Sequence, residues 1–339
     1  MAFITLDRKA FHHNLNMIAK QLQSRDKIAL VLKDNAYGHG LEPIAQMASK
    51  HGITRAVVRT VAEAETVGGK FDYILVLADL PATLMPGFNF AVNAMEQIKQ
   101  FPRGSRVELK IDTGMHRSGI PPRLLHHAFE KIVKNGLKLE GVFTHYRSAD
   151  EVGSAYFWQR HVFEGVKREA LSLAKRYGIE GLRFHAANSA AAFRSREGHE
   201  DMVRVGIAAY GCLEMAKGLP QPDLLPVLSL WGEKLSQRRL NKGESIGYGG
   251  IFSAQRQLQV SNYDLGYADG LLRGASNRYT APGGEMLLGR ISMDNCSFIS
   301  EADRLRIFDD ARTYAAAADT IAYEVLVGLP PRLRRKIIE

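Results

Sequence analysis

Two cysteines in 339 residues, Cys212 and Cys296, stand in neither a CxxC nor a Cys/His ligand spacing, so the chain lacks the material for a disulfide framework or a zinc cluster. No metal site is expected. Long apolar runs are also missing: none reaches the eighteen residues that a membrane-spanning helix needs. The opening MAFITLDRKAF turns polar too early for the apolar core of a secretory signal, which predicts a cytoplasmic protein. Internal repeats and low-complexity tracts are absent. The formal net charge of +9 is spread along the chain, with one dense run at 332–336 and no aromatic-interleaved RNA motif, so it reads as a solvated basic surface that attracts small anions. Neither nucleic acid nor membrane is expected as a partner.

What is present is the composition of a folded enzyme-sized chain. Hydrophobic residues at 45% and charged residues at 24% exclude disorder, and the length predicts two domains or a large barrel with an appendage. Short β-branched runs recur at 27–33 (KIALVLK), 55–60 (RAVVRT), 73–78 (YILVLA), 89–94, 107–112 (VELKID), 139–144, 182–187 and 202–207. Between them lie segments with helical spacing, such as 124–133 and 162–173. Eight strands in this alternation predict an α/β fold, a parallel (β/α)8 barrel, although an open doubly wound sheet gives similar periodicity. The prolines of LPQPDLLP at 219–226 stop any helix, and the text beyond is β-rich at 227–235, 243–252, 257–267 and 286–299. The expected division is a barrel over 1–218 and a mostly β domain over 219–339.

In a barrel, chemistry gathers where strands end. Lys33 and His145 end strands, Lys110 and Arg117 surround the end of the fifth, Ser189 follows the seventh, and Arg204 lies within the eighth. A strand-end lysine that loses its proton through burial can attack a carbonyl, although a lone strand-end lysine is more often a snorkelling side chain. Ser189 fits a helix N-cap, Arg204 a partner for Asp201, and Tyr267 an aromatic packing residue at a glycine-bounded turn.

The string VLKDNAYGHG at 31–40 resembles the cofactor-lysine motif of alanine racemases, and the resemblance runs on through KIDTGMHRSG (110–119), FTHYRSADE (143–151), HAANSAA (185–191) and VRVGIAAYG (203–211). In the second domain it continues with LGYADG (265–270), GRISMDN (289–295) and AYEVL (322–326). It implies an isomerase that interconverts L- and D-alanine with pyridoxal phosphate (PLP) and supplies D-alanine for peptidoglycan. By resemblance Lys33 carries PLP covalently, and Tyr37, Ser189, the backbone at Gly206 and Ile207, and Tyr323 hold its phosphate. Arg204 faces the pyridine nitrogen, which stays unprotonated because an arginine does not give up its proton, and His145 links Arg204 towards Tyr267.

Two proton carriers on opposite faces of a planar carbanion are what racemisation requires, and Lys33 and Tyr267 are the implied pair. Arg117 is the implied holder of the substrate carboxylate, Lys110 the lysine that some members carbamylate, and Tyr279 a gate tyrosine. Met293 and Asp294 belong to a loop that, with Tyr267, reaches into a partner's barrel, so a homodimer with shared sites is expected. Arg59 departs from the family's usual small residue, and so does the run Tyr146, Arg147, Ser148; a cation at 59 is expected to narrow or charge the site and so leaves the substrate range open.

Three rivals differ in chemistry. Broader-specificity racemases, acting for instance on serine, are the nearest. Basic amino-acid decarboxylases share the plan but use a cysteine in the second domain and a carboxylate at the cofactor nitrogen. A single-barrel PLP store leaves 219–339 unexplained.

Overall fold

The computed structural model describes residues 1–195 and 200–339. Among them, eight parallel strands form one sheet: β2 (Ile28–Val31), β3 (Arg55–Val58), β4 (Tyr73–Val76), β5 (Asn89–Val92), β6 (Arg106–Lys110), β7 (Lys138–Phe143), β8 (Arg183–His185) and β9 (Val203–Val205). Each pairs with its neighbour in sequence, and β9 returns to pair with β2. The remaining seam between β8 and β9 is bridged by the Arg204 amide donating to Ala187 O at 3.0 Å. The result is the nearly closed barrel expected from the sequence. Its strands are short and mostly apolar on both faces because helices cover the outside, with Glu108, His185 and Arg204 among the buried polar exceptions.

Local chemistry ends the helices where the loops must begin. Asp7 caps Arg8–Leu22 by accepting from the Ala10 amide, and Thr60 with Glu63 forms a capping box at the start of Val61–Val67. The long helix Ala155–Tyr177 stops at Gly178, whose φ of 66° is the left-handed turn that glycine adopts without a Cβ clash.

The second unit is built on a long strand, β10 (Leu228–Leu240), which pairs with β13 (Leu258–Tyr263) and β16 (Arg304–Phe308). Beyond β13 lie β15 (Cys296–Ile299) and β14 (Leu287–Leu288), while β11 (Ser245–Ile246) and β12 (Phe252–Ser253) make a separate two-stranded ribbon. Two sequence-derived strands are broken in consequence. The stretch 243–252 keeps only the ribbon, and 286–299 is interrupted by a loop at 289–295. The other side of β10 holds a strand that the sequence did not announce. β1 (Phe3–Asp7) runs antiparallel to β10 and parallel to β17 (Arg334–Ile338), so both ends of the chain lie in the second sheet. One continuous apolar core joins the two units, through residues such as Phe11, Tyr210, Leu230 and Phe308. No helix among the described residues is long and apolar enough to cross a membrane.

Candidate active site

The site begins with a distorted turn. Lys33 follows β2 after Leu32, and the next four residues, Asp34, Asn35, Ala36 and Tyr37, have φ of 54°, 56°, 51° and 53°. A left-handed turn costs L-residues about 1–2 kcal/mol each, less for Asp and Asn, and persists only where the surroundings impose it. They do so here. Asn35 Oδ1 accepts from the Leu41 amide at 2.8 Å, and Arg335 from the last strand donates to Gly38 O at 2.7 Å. A Cβ on Gly38 would lie 2.8 Å from the Leu326 carbonyl carbon, so the second unit presses on this turn from above.

Tyr37 is buried between Tyr210 and Tyr323, with ring centroids 5.1 and 5.9 Å away, and burial pushes its phenol up. A Cβ on Gly206 would fall 2.8 Å from Tyr37 Cζ. That glycine is therefore a space requirement. A Gly206→Ala variant is expected to lose about 1–3 kcal/mol of stability, the usual cost of overpacking a rigid site, read as a lower urea midpoint.

Ser189 does not cap its helix. Asn188 does, accepting from the Ala191 amide at 2.9 Å, while Ser189 Oγ reaches across to accept from the Gly206 and Ala208 amides at 3.0 and 3.3 Å. Ser189, Gly206, buried Ile207 and Tyr37 thus meet in one place, with half-exposed Tyr323 beside them. Arg204 is not paired with Asp201, which instead accepts from the Phe184 amide. The buried guanidinium donates to Thr144 O (2.7 Å), Ala186 O (3.1 Å), His145 Nδ1 (3.3 Å) and His185 Nδ1. All four partners are neutral. Burial pulls Arg204 down to about 10, which leaves it charged at neutral pH.

Electrostatics shows that the cations converge. Burial lowers His145 to about 3, and the charges of Arg204, Lys110, Arg117 and Lys33 add to the shift, so the imidazole is neutral. Burial, then Arg117 and Arg204, bring Lys110 down to about 8, and its ammonium donates to Ser118 Oγ at 2.6 Å. Asp112 shapes the exposed Arg117 loop by accepting from the Gly114, Met115 and His116 amides at 3.0, 2.9 and 3.1 Å.

Arg59 does not charge the site alone, because its Nη1 lies 2.8 Å from Asp34 Oδ1 at the rim and the pair is exposed. In the Tyr146 run, Tyr146 packs on Tyr156 and Arg147 holds Gly114 O at 3.0 Å.

Tyr267, Met293 and Asp294 lie apart from these groups within the subunit's own bonding. They share one exposed surface, tied by Tyr267 N to Ser292 O and Ala268 N to Met293 O, both 3.0 Å. Among the described residues the Tyr267 hydroxyl has no hydrogen-bond partner. Tyr279 is no gate. It is buried, donates to Ile307 O at 2.8 Å and packs edge-on against Tyr314.

The donor set suits PLP: a lysine at a strand end, hydroxyls and backbone amides around a glycine-lined cradle, and a buried guanidinium free of any carboxylate. One group escaped the sequence reading altogether. Glu108 and His185 lie beneath Arg204 in the barrel interior, both fully buried. The signal was available, because each is a polar residue framed by apolar neighbours in a strand, V-E-L and F-H-A, as Arg204 is in V-R-V.

Barrel, β-rich second unit and lysine-led mouth make a plan that amino-acid racemases and decarboxylases share, and the comparisons place this chain with the isomerases acting on amino acids. The family described as alanine racemase, N-terminal domain, matches residues 6–214, and alanine racemase, C-terminal domain, matches 227–337. An alanine racemase from Nitratiruptor sp. is 44% identical over all of both chains, and one from Campylobacter curvus 41% identical over the same share. The solved alanine racemase from Bacillus anthracis, with bound L-Ala-P, superposes at a TM-score of 0.83 with 27% identity, covering 100% of this chain and 95% of that one. That from E. faecalis gives 0.85 and 26%, over 99% and 98%. The chain belongs to the alanine racemase family.

Proposed function

We propose that the protein interconverts L- and D-alanine by a two-base mechanism with PLP on Lys33, and that it supplies D-alanine made in the cytoplasm for peptidoglycan. The carrying observation is the convergence of Lys33, Lys110, Arg117, His145 and Arg204 on one barrel mouth, with Arg204 meeting only neutral partners. Lys33 would hold the cofactor, which when bound would supply a conjugated electron sink for the α-carbon. Tyr37, Ser189, Gly206, Ile207 and Tyr323 bind its phosphate. Arg204 would face the cofactor with a guanidinium that has no transferable proton, where a decarboxylase of the same plan offers a carboxylate.

Lys33 Nζ takes and returns the α-proton on one face, and the Tyr267 phenol does so on the other. Arg117 binds the substrate carboxylate through its planar fork. His145, neutral, accepts from Arg204 through Nδ1 and so carries N–H on Nε2, from which it can donate onward. Lys110, pulled down to about 8, has enough neutral amine at physiological pH to add to carbon dioxide and release a proton, forming a carbamate that orients Arg117. Because Tyr267, Met293 and Asp294 stand exposed on the second unit, a partner subunit's barrel receives them, and a head-to-tail homodimer has two shared sites.

Incubating the PLP-reconstituted protein with D-alanine tests this reading. L-alanine is expected in a chiral assay, with slower or no turnover of serine, lysine and arginine. Carbon dioxide from lysine or ornithine, without L-alanine, would overturn it in favour of a decarboxylase.

A further inference from the structure

Behind Arg204, on the side away from Lys33 in the bonding chain, the barrel interior contains a carboxylate that the proposed mechanism leaves unused. Glu108 Oε2 lies 2.5 Å from His185 Nε2, and His185 Nδ1 accepts from Arg204 Nη1. The other oxygen of Glu108 accepts from Tyr73 Oη at 2.7 Å and from Arg183 Nη2 at 3.1 Å. Room for the carboxylate is provided by Gly141, its neighbour in register on β7, where a Cβ would meet the Glu108 carboxyl carbon at 2.7 Å. Phe143 stacks flat on His185 at 4.6 Å and also faces the Arg204 guanidinium, so the ring cannot rotate freely.

We propose that Glu108 is a positioning residue: by accepting from Nε2–H it fixes the tautomer of His185, and the bare Nδ1 then anchors the guanidinium of Arg204. A neutral imidazole has one donor and one acceptor nitrogen. With the proton on Nδ1 instead, two N–H groups would oppose each other at the Arg204 contact, and the guanidinium would have to turn away from the site. Protonation states agree with this assignment. Burial pushes Glu108 up, but the His185 N–H, Arg183 and the Tyr73 hydroxyl hold it below the ordinary carboxylate range, and burial keeps His185 below the ordinary imidazole value despite Glu108. The pair is therefore a carboxylate and a neutral ring, and Arg183 balances the charge.

The consequence for the cofactor rests on the proposed function; the tautomer does not. The experiment separates them. In 15N-histidine-labelled protein without cofactor, with His185 assigned through its contacts to Phe143, long-range 1H–15N correlations are expected to show Nε2–H and a bare Nδ1 at neutral pH. A Glu108→Gln variant keeps the volume but can present either its oxygen or its amide, so the Nδ1–H form is expected to appear. Reconstituted with PLP, that variant is expected to lose about 10- to 100-fold in kcat for alanine with KM little changed, the loss seen when the partner behind a metal-bound histidine is removed.

An Nδ1–H or doubly protonated His185 in the unsubstituted protein would overturn the proposal, and that measurement stands even if the variant fails to fold. So would a Glu108→Gln variant with unchanged kcat and an unchanged His185 signal. The stated tautomer in a protein that makes no L-alanine would instead remove the racemase reading and leave Glu108 in its role.

Discussion

A Tyr267→Phe variant is expected to lose alanine racemisation by about 10²- to 10⁴-fold, the contribution of a positioned general acid–base, while retaining the visible absorbance of PLP on Lys33. Lys33→Ala is expected to lose both. The exposed position of Tyr267 beside Met293 makes a sharper test available, since its phenol has no hydrogen-bond partner among the described residues. If each site takes Lys33 from one subunit and Tyr267 from the other, mixing the two inactive variants restores activity. Random pairing makes half the dimers mixed, each with one intact site, so about a quarter of full activity should return. Activity that stays at the level of the parents would remove the shared site, and full activity in Tyr267→Phe alone would remove the phenol as proton carrier.

Acidification is expected to weaken the fold well before carboxylates protonate. His39, His145 and His185 sit at about 4, 3 and 4 in the folded chain, against an ordinary 6.5, in each case chiefly through burial. The unfolded chain therefore takes up protons that the folded chain refuses, and stability falls as pH drops below 6.5 towards those lower values. Each ring costs about 1.4 kcal/mol per pH unit in that window, so roughly 2 kcal/mol each by pH 5. Glu108 acts elsewhere: held at about 2, it stabilises above the ordinary carboxylate range and withdraws that support only as pH falls towards 2. Urea midpoints at about pH 7.5 and 5 check this, and equal midpoints would refute it.

The barrel was legible because each strand is a compact apolar run of its own. The segment 89–94, for example, matches Asn89–Val92 to within two residues at one end. The positions of Lys33, Lys110 and His145 at or just beyond strand ends, and of Arg204 within the last strand, followed from that. β1 escaped because nothing local in FITLD records where a strand will pair, and its partners lie more than two hundred residues away. The left-handed turn escaped for a related reason: Ala36 and Tyr37 carry no preference for it, and Arg335, Leu326 and Tyr210, all distant in sequence, help to impose it. Tyr279 misled because a tyrosine in a loosely matched stretch looks the same whether its hydroxyl meets solvent or Ile307 O. The Glu108–His185–Arg204 chain was missed as a unit although its members were each visible, since contact across three strands is a property of closure.

The pairing of Phe3–Asp7 with Arg334–Ile338 ties the lysine turn to the second sheet. Arg335, which secures Gly38, lies in the latter strand. Fraying of this sheet edge is therefore transmitted to the turn that begins at Lys33, whereas the barrel strands keep their own pairing.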